Sequence, residues 1–455
     1  MFKNKKIHMI GIGGISMSGI AEMLLDFGAI VTGSDVTETK ITEKLAGQGI
    51  NILYGHHKEM IKDADIVVFT AAISKEDPER VEATNLNKTM FERAEFLGQI
   101  SKLYKNCLCI SGTHGKSSTT SMVSLAFLEA KMNPTIQVGA LLPQINGNSF
   151  IGSKDYLIME SCEYVDSFLH FHPTGTIITN IDNDHLDYFG NLDNIKKSFK
   201  KFVNLIPNDG FLVINNDDEN SKNIYDETES LVITYGIKSE SNYMARNIVC
   251  NSKGYYSFDV YYNGEFLINI NLSVNGKHNV YNALATIALA KNYINDINDI
   301  KNGIESYHGI ERRFEFIGKY KNVLIYDDYA HHPTEIKTTI DSVKSVKHNE
   351  SWVVFQPHTY SRTKEHMEDF AKVLSEFDHV IIATIYGARE VNTFNINEDM
   401  LVDGIKKNGN NNVLYIDSFD KIVDYLKEFT HDNDLVITVG AGPVNKVGLL
   451  LKDQC

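Results

Sequence analysis

Short, continuously apolar segments keep returning along this chain, each followed by a polar or glycine-rich turn and usually by a stretch with helical spacing. KIHMIGIG at residue 6, DIVVFTAA at 65, NCLCISG at 106, DYLIMES at 155, TGTIITN at 174, VLIYDD at 323, SWVVFQ at 351 and DLVITVG at 434 all read this way. Strands that are apolar on both faces need cover on both faces, which parallel sheets flanked by helices provide. The fold class is therefore α/β. At 455 residues the chain has room for roughly three domains. Breaks in the pattern near 102 and 312 divide it into 1–102, 103–312 and 313–455. The middle block also carries a strand-rich patch, YYSFDVYYNGEFLINI, ahead of the helix NVYNALATIALAKNYI.

Two of the turns have the composition of phosphate loops. In the first, Gly11-Ile-Gly13-Gly14-Ile15-Ser16 leaves a strand and opens a helix, with Ser16 where a dinucleotide fingerprint has its third glycine. Ser34 and Asp35 end the next strand, about where a ribose-binding acid belongs. A tight turn without a ligand would look similar, but helix-end N–H groups suit a nucleotide diphosphate. The second turn is Gly112-Thr113-His114-Gly115-Lys116-Ser117-Ser118. A common P-loop would have its first glycine at position 110, where this chain has Ile110, so the loop is a shortened form. Its glycines let backbone amides approach phosphate, Lys116 supplies a point charge, and the Ser117 hydroxyl suits Mg²⁺.

A magnesium site needs further hard oxygen ligands. Glu160 ends the strand YLIME, and TNIDNDH presents Asp182, Asp184 and His185 at the end of the next. In an open parallel sheet these strand ends share a rim with the phosphate loop. Glu160 and His185 are thus the expected metal ligands beside Ser117. In GKHNVYNALA, Asn279 suits the N-cap of the following helix and, through its amide, an adenine edge shared with Asn282.

In the third block, YDDYAHHP, QPHTYSR and YGARE each follow a strand. Asp328, His332, His358 and Arg362 then crowd one sheet rim. Two adjacent histidines suggest zinc, but no third soft ligand stands at zinc spacing, which favours substrate binding. Arg312 and Arg313, at the block boundary, are placed to meet a γ-phosphate.

Composition narrows the partners. A formal charge of −15 without a long basic run disfavours nucleic acid. No apolar run approaches the roughly 20 residues of a membrane span, so no membrane insertion is expected. Five scattered cysteines without a C-x-x-C fit a reducing cytoplasm. Monomer and homodimer are equally compatible with the sequence.

The order of GIGGISMSGIAEML, SGTHGKSSTT, TNIDNDHLDYF, GKHNVYNALA, ERRFE, YDDYAHHPTEI and QPHTYSRT resembles that of the Mur ligases of peptidoglycan synthesis, nearly end to end. The resemblance implies a Rossmann-like N-terminal domain for a UDP-sugar and a P-loop-type central ATPase domain. It further implies a Rossmann-like C-terminal domain that brings an amino acid. The motifs look most like those of the members that join L-alanine to the lactyl carboxylate of UDP-N-acetylmuramate with ATP and Mg²⁺. Carried over, Gly112 through Ser118 hold ATP, with Lys116 on the phosphates. Ser117, Glu160 and His185 hold Mg²⁺, and His278, Asn279 and Asn282 contact adenine. Arg313 reaches the phosphates, while Asp328, His332, His358 and Arg362 line the alanine and acyl-phosphate end, with His332 or His358 as the base. Gly13, Gly14, Ile15, Ser16, Ser34 and Asp35 hold the UDP-sugar. In ESCEYVDSFL, Cys162 and Val165 stand where the family often has acids; other members carry a carbamylated lysine after the DH motif, where KKSFKK offers Lys196, Lys197, Lys200 and Lys201 without singling one out.

Overall fold

Strands rich in Ile, Val and Leu alternate with helices capped by short polar side chains, and in the computed structural model they assemble three sheets. The structure describes residues 2–251, 254–388 and 390–453. Arg389, in the third rim motif, and Cys455 lie outside the described residues.

The first sheet holds β1 (Lys6–Ile10), β2 (Ile30–Asp35), β3 (Asn51–Tyr54), β4 (Ile66–Phe69) and β5 (Thr89–Glu92), in the order β3-β2-β1-β4-β5. All its pairings are parallel. Strand order reverses at β1, so the turn leaving β1 opens at a topological switch point, where α/β sheets bind ligands.

The second sheet contains β6 (Asn106–Ser111), β7 (Thr135–Leu142), β8 (Gly147–Phe150), β9 (Tyr156–Glu160), β10 (Gly175–Ile178), β11 (Phe211–Asn215) and β12 (Leu231–Gly236). It continues through β13 (Tyr243–Cys250), β14 (Tyr255–Tyr262) and β15 (Glu265–Asn275). Its order is β15-β14-β13-β12-β11-β10-β6-β9-β7-β8. β6 lies between β10 and β9, parallel to both; β9 ends at Glu160, and β10 ends at Ile178, just before Thr179 and Asn180. The third sheet comprises β16 (Glu315–Tyr320), β17 (Val323–Asp328), β18 (Ser351–Phe355), β19 (His379–Ala383), β20 (Val413–Ile416) and β21 (Leu435–Val439). Its order is β16-β17-β21-β18-β19-β20, with β16 antiparallel and the rest parallel.

The chain divides into two compact units, one of 1–246, 259–270 and 281–307, the other of 247–258, 271–280 and 308–455. In the first unit a continuous core joins Met9 and Ile20 of the first sheet's layers to Leu157, Phe168 and Phe199 of the second's. In the second, the two faces of the third sheet are buried separately, around Phe355 and Ile382 on one side and Trp352 and Val436 on the other. Among the described residues no helix is long and apolar enough to cross a membrane.

Candidate nucleotide and ligase site

The second glycine turn links β6 to the helix Lys116–Glu129. Gly112 has φ +129° and Gly115 φ +81°, backbone that side-chain-bearing residues rarely adopt. Space is equally restrictive: a Cβ at Gly112 would lie 2.0 Å from Thr179 Oγ1, and one at Gly115 2.8 Å from Asn282 Oδ1. The end of β10 clamps the turn. Asn180 accepts the Thr113 N–H on its carbonyl and the His114 N–H on Oδ1, both at 2.9 Å. Its amide donates back to His114 O at 3.0 Å, and Thr179 Oγ1 donates to the same carbonyl at 2.6 Å.

Lys116 curls over this turn, donating to Gly112 O at 2.5 Å and Thr113 O at 3.0 Å, and pairs with buried Glu163 at 3.1 Å. Burial works against the ammonium, but Glu163, Cys162 and Glu160 outweigh it and raise its pKa above the ordinary lysine value. Lys116 is therefore a fixed cation. The helix behind it starts at Gly115 with no side-chain cap, so its first-turn donors face an anion site.

Around this cation the predicted metal ligands occupy different settings. Glu160 Oε2 accepts the Gly139 N–H of β7 at 2.9 Å, and a Cβ at Gly139 would come within 2.6 Å of the same oxygen. His185 adopts φ +54°, sits 3.7 Å from Asp184 and lies against Tyr164 with ring centroids 4.5 Å apart. Asp182 is used by the loop: its N–H donates to Thr113 Oγ1 at 2.9 Å and its carboxylate lies 3.4 Å from His114 Nε2. No cluster of three or more His, Cys, Asp or Glu side chains able to hold a metal occurs among the described residues. Cys162, where an acid was expected, is a neutral thiol. Burial, with help from Glu163, pushes its pKa up to about 11. Glu163, one residue on, supplies the carboxylate that Lys116 needs.

Where adenine was expected, the helix His278–Ala290 starts two residues earlier than a cap at Asn279 would require. Asn279 is its second residue, with its amide donating to Asn275 O at 2.7 Å and lying 3.2 Å from His278 Nε2. Burial lowers His278 to about 4, assisted by Arg313, so its imidazole is neutral near pH 7. The two boundary arginines differ. Arg312 serves the fold, donating to Asp327 at 3.0 Å and to the carbonyls of Gly440 and Gly442 at 2.6 and 3.0 Å. Arg313 is more exposed, 3.4 Å from Glu335 and 5.6 Å from the Tyr329 ring centroid.

The third sheet's rim brings the remaining residues into one region of the second unit. Asp328 ends β17, where its carboxylate accepts the Ala330 N–H at 3.1 Å and the Thr339 hydroxyl at 2.8 Å. Burial still raises it to about 6. His332 caps the helix Pro333–Ser345, its Nδ1 accepting the Thr334 N–H at 3.3 Å. His358 Nδ1 faces Arg362 Nη1 at 3.3 Å, and the His358 and His331 ring centroids lie 6.0 Å apart. Burial and these neighbours lower His358 to about 4. Since guanidinium and backbone N–H can only donate, both Nδ1 atoms accept and the neutral rings carry their proton on Nε2. In this arrangement each histidine offers a donor, suited to a carboxylate or phosphoryl oxygen.

At the first glycine turn, the Gly13 N–H donates to Asp35 Oδ2 at 2.8 Å, and Gly14 starts the helix Ile15–Asp26 without a side-chain cap. Ser34 is buried and donates to Glu79 at 2.5 Å, so it anchors the strand end. Glu79 also meets His8 at 3.3 Å and the His57 N–H at 2.5 Å; these contacts outweigh burial and hold its pKa below the usual value. Arg93 Nη1 donates to Ser16 Oγ at 3.1 Å, placing a cation beside the turn that sequence reasoning missed.

Three family models match in order: the Mur ligase family catalytic domain over 6–105, the middle domain over 110–290 and the glutamate ligase domain over 312–442. The chain is 46% identical over 454 residues to the UDP-N-acetylmuramate–L-alanine ligase of Acetivibrio thermocellus, covering 99% of this chain and 97% of that one. This chain belongs to the Mur ligase family. The namesake from Clostridium botulinum strain Langeland is 49% identical over 446 residues, 98% of this chain and 97% of its own. Among solved structures, the UDP-N-acetylmuramate-alanine ligase of Thermotoga maritima superposes with a TM-score of 0.83 at 29% identity, covering 99% and 98% of the two chains. A murein peptide ligase from Psychrobacter arcticus shares the fold at TM-score 0.72 and 23% identity, covering 98% of each chain. The expected three-domain Mur ligase architecture is thus the one observed.

Proposed function

We propose that this Mur ligase joins L-alanine to the lactyl carboxylate of UDP-N-acetylmuramate, converting ATP to ADP and phosphate. The observation that carries the reading is Lys116, a permanently charged group folded over a short glycine turn at a bare helix N-terminus. A lactyl carboxylate oxygen attacks the γ-phosphorus and ADP leaves, giving an acyl phosphate. The alanine nitrogen then attacks the acyl carbon; the C–N bond forms, the acyl C–O bond breaks, and the departing phosphate takes up the amine's proton. Phosphoryl transfer depends on positioning and charge neutralisation, which the turn's amides, Lys116 and Arg313 provide.

Gly112 through Ser118 fit ATP phosphates, and His278, Asn279 and Asn282 fit its base. Ser117, Glu160 and His185 would hold Mg²⁺, which when bound neutralises charge on the phosphates. Gly13, Gly14, Ile15, Ser16 and Asp35, with Ser34 behind them and Arg93 beside them, serve the UDP-sugar. Asp328, His332, His358 and Arg362 serve alanine and the acyl phosphate. Domain limits near 102 and 312 are supported by the gap between the helix ending at Ser101 and β6, and by β16 starting at Glu315. The proposed substrates, a nucleotide sugar, ATP and a free amino acid, support a cytoplasmic location.

The test is phosphate release from ATP and UDP-N-acetylmuramate, screened across the amino acids one at a time. L-Alanine is expected to give the highest kcat/KM. Preference for glycine or serine would reassign the amino acid, and release only with a preformed peptide would refute the reaction proposed.

A further inference from the structure

The two glycine turns of the first unit are joined by one strand. On β7, Gln137 reaches the first turn: its Nε2 donates to Ser16 O and lies equally close, 2.9 Å, to Ser16 Oγ. Two residues on, the Gly139 N–H holds the Glu160 carboxylate at 2.9 Å. The carbonyl partner on Ser16 fixes which end of the Gln137 amide faces it, since a carbonyl cannot donate.

Gln137 is also where the strand's regular pairing stops. It pairs with Met159 of β9 on one side and Ser149 of β8 on the other; beyond it the β8 register shifts and the β9 ladder ends. Gly139 is thereby released from the ladder to serve Glu160. Opposite Gln137, Ser149 bonds to Glu22 on the helix that follows the first turn. That helix approaches closely, because a Cβ on its Gly19 would lie 3.4 Å from Gln137 Nε2. Gln137 is buried, and its Oε1 has no hydrogen-bond partner among the described residues. A buried amide that leaves an acceptor unsatisfied costs stability. Leucine or methionine would fill the space without that penalty.

We propose that Gln137 is a positioning residue that couples occupancy of the UDP-sugar turn to the placement of Glu160 at the ATP site. A phosphate settling on the first turn shifts Ser16; Gln137 follows through two contacts and carries Gly139, which sets the Glu160 carboxylate. The inference rests on the assignment of the two turns made above. It makes nucleotide binding at the two sites cooperative, and by linkage equally so in either direction.

The experiment titrates full-length protein with Mg²⁺ and a non-hydrolysable ATP analogue by calorimetry, with and without saturating UDP-N-acetylmuramate. Wild type is expected to bind the analogue about fivefold or more tightly when the UDP-sugar is present. In Gln137→Met that factor falls below about twofold, while each ligand alone keeps its wild-type affinity within a factor of about three. A merely structural residue would weaken both ligands and leave the ratio intact. If Gln137→Met does not fold, Gln137→Asn keeps an amide but shortens its reach, and is judged by the same ratio. A wild-type ratio near one, or an unchanged ratio in the variant, overturns the proposal. Wild type that binds neither ligand overturns the functional assignment itself, a failure visible without any substitution.

Discussion

The two glycine turns share a plan, a parallel strand, a turn and a bare helix N-terminus, yet they are braced in opposite ways. The first is held by an acid: Asp35 takes the Gly13 N–H, with Ser34 tied to Glu79 beneath it. The second is held by amide and hydroxyl groups just past the end of β10, and its acids meet side chains instead of the backbone, Glu163 the Lys116 ammonium and Asp182 the His114 ring. A diphosphate that is only bound needs no more than backbone amides and a cation to one side, the place of Arg93 beside Ser16. A phosphoryl group that is transferred builds charge in the transition state, and only the second turn carries a cation fixed over itself to meet it.

The sharpest way to break this contrast is to remove that cation. Lys116→Met is expected to lower alanine-dependent phosphate release by roughly a thousandfold, the scale for deleting one fixed charge-stabilising donor. It also strands a buried carboxylate, which costs about 3–5 kcal/mol. Adding Glu163→Gln should recover most of the thermal stability but none of the turnover. Recovery of both would mean that Lys116 serves the fold alone.

Next in size is the glycine comparison. Gly112→Ala forces a Cβ against Thr179 in a left-handed backbone, and strain there costs roughly 1–3 kcal/mol beyond the clash. ATP binding should fall below detection by calorimetry while UDP-sugar binding persists. Gly13→Ala meets only side-chain atoms, Asp35 Oδ2 and Thr42 Cγ2 at 2.8 Å, which can give way. Overpacking of about 1–3 kcal/mol predicts a UDP-sugar KM raised about tenfold with kcat nearly unchanged. Equal losses from the two alanines would erase the distinction between a gripping turn and a supporting one.

Strand periodicity made the α/β class legible, and the turns followed from glycine and lysine spacing. What stayed hidden was pairing at a distance. Sequence placed Glu160 and Lys116 near one rim but could not show that Glu163 takes the ammonium, because the acid's neighbours Cys162 and Val165 broke the expected pattern. Polar residues break the apolar run in β7, where Gln137 interrupts TIQVGALL, and in β8, so the hairpin carrying Gln137 and Gly139 went unread. Asn180 sat in plain view inside TNIDNDH, overshadowed by the charged residues after it, although an amide with both donor and acceptor suits clamping a backbone turn better than either. Arg312 and Arg313 were indistinguishable as neighbours; only the carbonyls of Gly440 and Gly442, over a hundred residues away, separate them.

The smallest expected effect concerns the second unit and the titration of its buried groups. Asp328 titrates near 6 in the fold, above the usual carboxylate value, because burial disfavours its anion. Its contribution to stability is therefore full below the unfolded value near 3.8 and is lost as pH rises through about 6. His278 and His358 run the other way. Each is held near 4 from an ordinary 6.5, so their contribution is present above 6.5 and is lost as pH falls toward 4. Between those limits the aspartate offsets part of what the histidines lose on acidification. Asp328→Asn removes the offset, so its melting temperature should drop more steeply than wild type's from pH 6.5 to 4, while the two proteins differ least in slope above pH 7. Parallel curves across that window would mean that Asp328 is already ionised in the folded chain, and that the third rim, like the second turn, works with a permanent charge.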